Sequence, residues 1–441
     1  MAERERRRFQ VRDREERAGE PKARGLRRRL RERPRIRPRV FGYLTEEKES
    51  LRQGFAALFV SSVGELIAGI VLAGIAGTLE ELVGLAVLIP AAIGMRGAIF
   101  GAMGSRLSTS IQMGLFSFSL RRGVLAENVQ AAAVLSLISG VFLAFLARYL
   151  SDILGVATSL SITDYIVIST VGGVIAGVLL LVITVFVART SVARGWDMDN
   201  IAAPMLTAAG DILTLPSLVV AAYLIDIPVF SGSLALALIA VAVAVVVLGF
   251  RLGGRNLSRI LAESLPILAI TGTVTILVGV ALEERSEQFT TLLALSILLP
   301  AFLQEGGALG GILSSRLSSK IHLGLLAPRG LPPVAAFKDF VLIYTFATGV
   351  YLFIGAASHV LAVAIFPEGS SPGLLAMMGL STLAGLIATT AAVLAAYYGS
   401  IVSYRLGLDP DTYGIPIITA AVDLLGFMSL IIALIIFGLA G

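Results

Sequence analysis

Between Ser231 and Phe250 the chain reads SGSLALALIAVAVAVVVLGF, twenty residues without a charged side chain. In lipid the peptide groups of such a run can bond only to one another, which a helix achieves within a single segment. About 20 helical residues, at 1.5 Å each, cross a hydrocarbon core. Ten more apolar runs accompany it, and the eleven spans read from them are roughly 53–77, 82–104, 128–149, 164–188, 201–224, 231–250, 260–282, 289–313, 339–366, 373–397 and 413–439. Charged residues make up 15% of the chain, against about 25% in a soluble domain. The expected fold class is therefore an all-α polytopic membrane protein with about 11 spans.

Basic residues set its orientation. Arg106, Arg121, Arg122, Arg189, Arg194, Arg251, Arg255, Arg259, Arg316, Lys320, Arg329, Lys338 and Arg405 fall in loops on one side. The opposite loops, TLEEL, YLSDIL, LIDIP, EERSEQ and FPEGSS, have only Arg148 and Arg285 near them. The positive-inside bias puts the N-terminus in the cytoplasm, and an odd span count puts the C-terminus outside, in a multi-pass protein of the cell membrane. The first forty residues carry sixteen arginines and one lysine against seven acids, net +10 in a chain whose total is +5. This head (1–42) is expected to be a disordered cytoplasmic tail. It serves either as a ligand for anionic lipid headgroups or as a leader that fixes the terminus. Its scarcity of aromatics argues against nucleic acid.

The chain has no cysteine and two histidines, which excludes disulfides and thiolate metal sites and disfavours a histidine-rich zinc site. No nucleophile–base pair or phosphate loop stands out, so neither an enzyme nor a bound cofactor is expected.

The eleven spans are not independent. Pro90–Gly114 (PAAIGMRGAIFGAMGSRLSTSIQMG) aligns without gaps on Pro300–Gly324 (PAFLQEGGALGGILSSRLSSKIHLG), with eleven identities. Asp197–Asp211 (DMDNIAAPMLTAAGD) aligns on Asp409–Asp423 (DPDTYGIPIITAAVD) at nearly the same offset. The halves are read as five-helix repeats, 50–228 and 255–441. Five spans invert the chain, so a second copy in the same orientation needs one more crossing, and the connecting transmembrane helix in 229–254 supplies it. The repeats are then parallel, related by an axis along the membrane normal. Such a chain is a pseudo-dimer that can act as a monomer.

Asp211 and Asp423 lie about ten residues into their spans, roughly 15 Å deep at the helical rise. An ionised aspartate at mid-bilayer costs about 2.5–3.5 kcal/mol, so it faces a wet cavity or a partner. One such residue is as readily structural. Two at equivalent positions converge near the pseudo-axis and mark an ion path. Pro204, Thr207 and Asp211 share a helix face, as do Pro416, Thr419 and Asp423. Each proline either frees the carbonyl one turn earlier, on Asn200 or Thr412, or simply starts its helix. In the first case a column of carbonyl, hydroxyl and carboxylate oxygens suits a hard cation.

Asp197, Asp199, Asp409 and Asp411 form either an acidic vestibule or ordinary partners of helix N-termini. Glu65, inside the first span, is a further pathway residue. Glu263 lies nearer the interface, and Glu305 has no acidic counterpart because Met95 occupies the equivalent position. Gly94, Gly97, Gly101 and Gly104, echoed by Gly307 and Gly311, are expected to form a face where helices pack closely. Arg106 and Arg316 are expected to complement the dipole at cytoplasmic helix ends.

These boxes resemble those of the MgtE magnesium-transporter family, and more closely its tandem-repeat relatives among the eukaryotic solute carriers. PAAIGMRG…SRLSTSIQMG is similar to the family's Pro-Ala-x-x-Gly-x-x-Gly…Ser-Arg-Leu-Ser-Thr box. DMDNIAAPMLTAAGDILT and DPDTYGIPIITAAVDLLGF are similar to its Asp-Pro-Asp-Asn…Pro…Gly-Asp box. The resemblance covers residues from about 50 to the end. It implies five-span units paired around a central pore, with partly hydrated Mg2+ as the transported ion at Asp211 and Asp423. Ala98 and Ala308 stand where the family usually has asparagine, and Phe100 and Gly310 where the tandem relatives have glutamate. The full set expected at the ion is Asp211, Asp423, Thr207, Thr419, Asn200, Asp197, Asp199, Asp409, Asp411 and Glu65. The residues alone leave open a proton- or sodium-coupled carrier of another solute that uses the same aspartates as coupling groups.

Overall fold

The apolar runs form helices whose peptide groups bond within each segment. The computed structural model describes residues 48–194, 198–225, 228–252, 254–328, 330–366, 370–406 and 415–439, and the basic head lies outside them. Among the described residues there are thirteen helices and no strand: α1 (Lys48–Gly74), α2 (Ala76–Glu81), α3 (Leu85–Gln112), α4 (Val124–Leu154), α5 (Ile162–Arg194), α6 (Met198–Ala222), α7 (Pro228–Leu252), α8 (Gly254–Glu283), α9 (Ser286–Thr291), α10 (Leu293–His322), α11 (Val334–Ile365), α12 (Leu374–Leu406) and α13 (Ile415–Ile436). Eleven are long and apolar enough to cross a membrane, one for each span read from the sequence. Residues 49–441 pack as one unit.

Several spans outrun their hydropathy boundaries. α3 ends at Gln112 rather than near 104, and α10 at His322 rather than near 313. Polar side chains in the extension of α3 bond to their own helix. Thr109 Oγ1 donates to the Ser105 carbonyl at 3.1 Å and Ser110 Oγ to that of Leu107 at 2.7 Å, so polarity does not end the helix there. Chain reversal comes just after, at Gly114 and Gly324, both with φ of +69°, a left-handed conformation that side chains disfavour. The outer segments TLEEL and EERSEQ, read as loops, contain the short helices α2 and α9, which pack on each other.

The first helix of each half crosses over to the other half. A Cβ on Gly69 of α1 would collide with the Ile297 carbonyl of α10, and one on Gly279 of α8 with the Val87 carbonyl of α3. Gly279 lies 210 positions after Gly69, and Val87 lies 210 positions before Ile297, so the two contacts are equivalents with the halves exchanged. Phe55 and Phe59 carry α1 onto Phe346 and Phe353 of α11, with ring centroids 5.0 and 4.5 Å apart. Glu283, the last residue of α8, accepts the Ala86 backbone N–H at the start of α3 at 3.0 Å. α7 packs on α4, α5 and α8 and is the least buried of the spans, as suits a connector.

This interlock is testable. Helix propensity alone favours alanine over glycine by about 1 kcal/mol, yet Gly69→Ala and Gly279→Ala are each expected to lower stability by about 1–3 kcal/mol through overpacking. Gly74→Ala, where a Cβ meets nothing within 4 Å, is expected to be neutral or slightly stabilising. Thermal unfolding in detergent compares the three. Equal midpoints would show that the crossing helices are not held at those glycines.

Candidate cation site

The helices cross around a cavity of about 320 Å³. Its wall takes Pro90 from α3 and Pro300 from α10, Thr207 and Asp211 from α6, and Pro416, Thr419 and Asp423 from α13. Pro90 and Pro300 lie inside their helices and lack an N–H, which leaves the carbonyls of Ala86 and Ser296 without their helical donors. Thr207 and Asp211 of α6 thus share a wall with Pro416, Thr419 and Asp423 of α13. The side chains of Pro204, Asp199 and Asn200, and all of Asp197, Asp409, Asp411 and Thr412, lie outside the described residues. α6 begins at Met198, so Pro204 stands beyond its first turn. That position frees the Asn200 carbonyl rather than starting the helix.

Asp211 is 3% exposed, and its Oδ1 has no hydrogen-bond partner. Asp423 is half-buried, close enough for the two charges to act on each other. Two carboxylates and several hydroxyls face a space that holds about ten waters at roughly 30 Å³ each. Among the described residues no group of three or more acidic or histidine side chains makes a ready metal cage. The arrangement is therefore suited to a cation that keeps part of its hydration shell.

Glu65 is not part of the wall. It is fully buried in α1 beside Asp211 and Glu305. Gln304 of α10 and Thr271 and Thr275 of α8 do line the cavity and were not singled out by the sequence. The i, i+4 threonines in TGTVT and the polar Gln-Glu pair inside an apolar span were the available signals. Arg96, one residue from the lining Met95 and Gly97, is buried with its guanidinium against Gly173 of α5.

Two structural expectations change. Gly94 and Gly97 line the cavity, and Gly97 and Gly101 have nothing within 4 Å of where a Cβ would stand. These glycines open space instead of bringing helices together. Close packing holds at Gly307, whose Cβ would meet Thr419 Cγ2 at 2.7 Å. Arg106 and Arg316 do more than complement a dipole, for each ties the second helix of its half to the third. Arg106 Nε donates to Asn128 Oδ1 at 2.7 Å. Arg316 Nε donates to Asp339 Oδ1 at 3.0 Å, and Lys320 Nζ lies 2.6 Å from Asp339 Oδ2.

Eleven spans, and a cavity lined by one buried and one half-buried aspartate, define an integral membrane protein. The family model MgtE, described as a divalent cation transporter, matches residues 89–221 and 299–433, and the chain belongs to that family. Both segments contain the aspartate helix and the Ser-Arg-Leu-Ser box, while α1 and α8 precede them. Solute carrier family 41 member 2 of Mus musculus is 24% identical over 371 residues, 77% of this chain and 62% of the relative. The Gallus gallus protein of the same name is 23% identical over 362 residues, with the same shares. The chain thus spans about three fifths of the length of these curated relatives. No solved structure matches it.

The clamp of the second half carries a stability prediction. Asp339 is 0% exposed between two cations that are 27% and 31% exposed. Breaking a buried pair at one end costs about 3–5 kcal/mol, and partial exposure of the cations lowers that to roughly 2–4 kcal/mol for Asp339→Ala. Asn128→Ala, which removes the acceptor of the Arg106 hydrogen bond and a second bond donated to the Val124 carbonyl, is expected to cost about 1.5–3 kcal/mol. Denaturation of the purified variants ranks the two. A smaller loss at Asp339 would show that solvent already screens the pair.

Proposed function

We propose that the chain transports divalent cations, Mg2+ foremost, through this cavity, with Asp211 and Asp423 as the charged ligands and Thr207 and Thr419 as neutral ones. The observation that supports it best is that two carboxylates from equivalent places in the two halves line one cavity. Mg2+ gives up its water reluctantly and is usually held by one or two carboxylates with several waters kept. Space for about ten waters beside two aspartates fits that habit.

Asp197, Asp199, Asn200, Asp409 and Asp411 gather cations at the cytoplasmic mouth in this reading. The N-terminus is cytoplasmic and the C-terminus outside, as the loop charges require. The two halves make the pathway within one chain, so a monomer suffices. The basic head binds anionic lipid headgroups.

Asp211→Asn and Asp423→Asn are each expected to weaken Mg2+ binding by about 1.5–3 kcal/mol, the worth of one charge-assisted ligand. That is a factor of roughly ten to 150. Mg2+ uptake into liposomes, run with and without sodium and pH gradients, measures the consequence. Undiminished flux in the double variant would remove the aspartates from the pathway, and flux only with a gradient would favour a coupled carrier.

A further inference from the structure

Glu65 and Glu305 are both 0% exposed, and they come from opposite halves, on α1 and α10. They are near enough for their charges to interact. Neither lines the axial cavity. No donor reaches either oxygen of Glu65 or Oε2 of Glu305, and the carboxyl of Glu65 also lies within hydrogen-bond reach of Asp211, which acts on it more strongly than Glu305 does. Ser62 Oγ donates to the remaining oxygen, Glu305 Oε1, at 2.7 Å. An independent group points the same way. The Tyr351 hydroxyl on α11 is fully buried and without a partner, and it lies within electrostatic reach of Glu305 and Asp423. The charged groups that act on Glu65, Glu305 and Asp423 are themselves acidic.

The same place across the pseudo-axis is built differently. Positions 210 residues away exchange Glu305 for Met95, Glu65 for Thr275 and Ser62 for Gly272. There the Met95 thioether packs directly on Gly272, and Thr275 Oγ1 donates to its own helix at the Thr271 carbonyl, 3.0 Å away. One side is a closed apolar contact, and the other is a set of unpartnered oxygens. An unpaired ionised group cannot stay in such a place without compensation. A shared proton satisfies one pair of oxygens, whereas a hard cation gathers six or more.

We propose that Glu65 and Glu305, with the hydroxyls of Ser62 and Tyr351, form a second cation site next to the axial cavity and adjoining Asp211, occupied by one divalent ion stripped of most of its water. Two carboxylates balance its charge. A sphere built from the protein's own carboxylate and hydroxyl oxygens suits Ca2+ better than Mg2+, which keeps its hydration shell. The site stands whether or not the axial cavity conducts.

Equilibrium dialysis of the purified full chain against radioactive Ca2+ tests it. The expected result is two ions per chain in the wild type, and one in Glu65→Gln and in Glu305→Gln, with affinity at the second site falling at least a hundredfold. A variant combining Glu305→Met with Ser62→Gly copies the contact already packed across the axis. It is expected to fold and to bind one ion, which covers the case where the glutamine variants fail to fold. Asp423→Asn is expected to keep the off-axis ion. If it loses axial binding without loss of Mg2+ flux, the transport reading fails and this site remains. A wild-type chain that binds no ion, or a Glu305→Met/Ser62→Gly variant that binds as many ions as the wild type, overturns the proposal. So does a second site that fills with radioactive Na+ and excludes Ca2+, or one that exchanges only protons.

Discussion

Charge in a low-dielectric interior governs this molecule. Glu65, Asp211 and Glu305 are buried, and Asp423 is half-buried, while each ionised carboxylate placed at mid-bilayer costs about 2.5–3.5 kcal/mol. A chain bears that cost only where water, a hydroxyl or a counter-ion reaches the oxygens. The cavity gives Asp211 and Asp423 a space large enough for water. Glycines at Gly94 and Gly97 keep it open where larger side chains would fill it. Threonines at Thr207, Thr271, Thr275 and Thr419 put hydroxyls on an otherwise apolar wall. The cavity and the acids thus explain each other.

The interlock of α1 with α10 and of α8 with α3 follows from the same requirement. A wall made by one half alone would leave a seam between the halves through which lipid could reach the acids. Crossing first helices close that seam, and they do so by backbone contact at Gly69 and Gly279, where no flexible side chain can yield. The clamps lower down, Arg106 to Asn128 and Arg316 with Lys320 to Asp339, fix the second and third helices of each half. The aspartate helices α6 and α13 are left to face one cavity.

How much of this was legible depends on which physical signal each feature leaves. Spans leave a strong one, because a helix in lipid must be apolar over its whole length, and all eleven were readable. Asp211 and Asp423 were readable because duplication sets two costly residues in register. Helix ends were not, because hydroxyls such as Thr109 and Ser110 satisfy themselves on their own carbonyls and carry α3 past its apolar stretch. The crossing of α1 and α8 leaves no pattern, since one glycine against a carbonyl looks like any other glycine. Glu305 was discounted for a reason that proved informative. Its counterpart is Met95, and the mismatch that lowered its weight in a repeat alignment is the mark of a place where the halves diverged.

That divergence bears on why two halves share one chain. In a homodimer every substitution appears twice, so a glutamate at the position of Glu305 would bring a second one across the axis. The glutamate of α1 would likewise be doubled, making four buried carboxylates, in place of two, around two aspartates. At about 332/(εr) kcal/mol per pair, with ε near 20, like charges 8 Å apart repel by roughly 2 kcal/mol, and the several pairs in such a ring would exceed what a marginally stable fold tolerates. Fusion lifts the constraint. One half keeps Met95 packed on Gly272 and contributes packing, while the other places Glu305 against Ser62 and contributes charge. Asp211 and Asp423 still line one cavity, and the asymmetry beside them needs two unlike halves, which a single chain carrying both supplies.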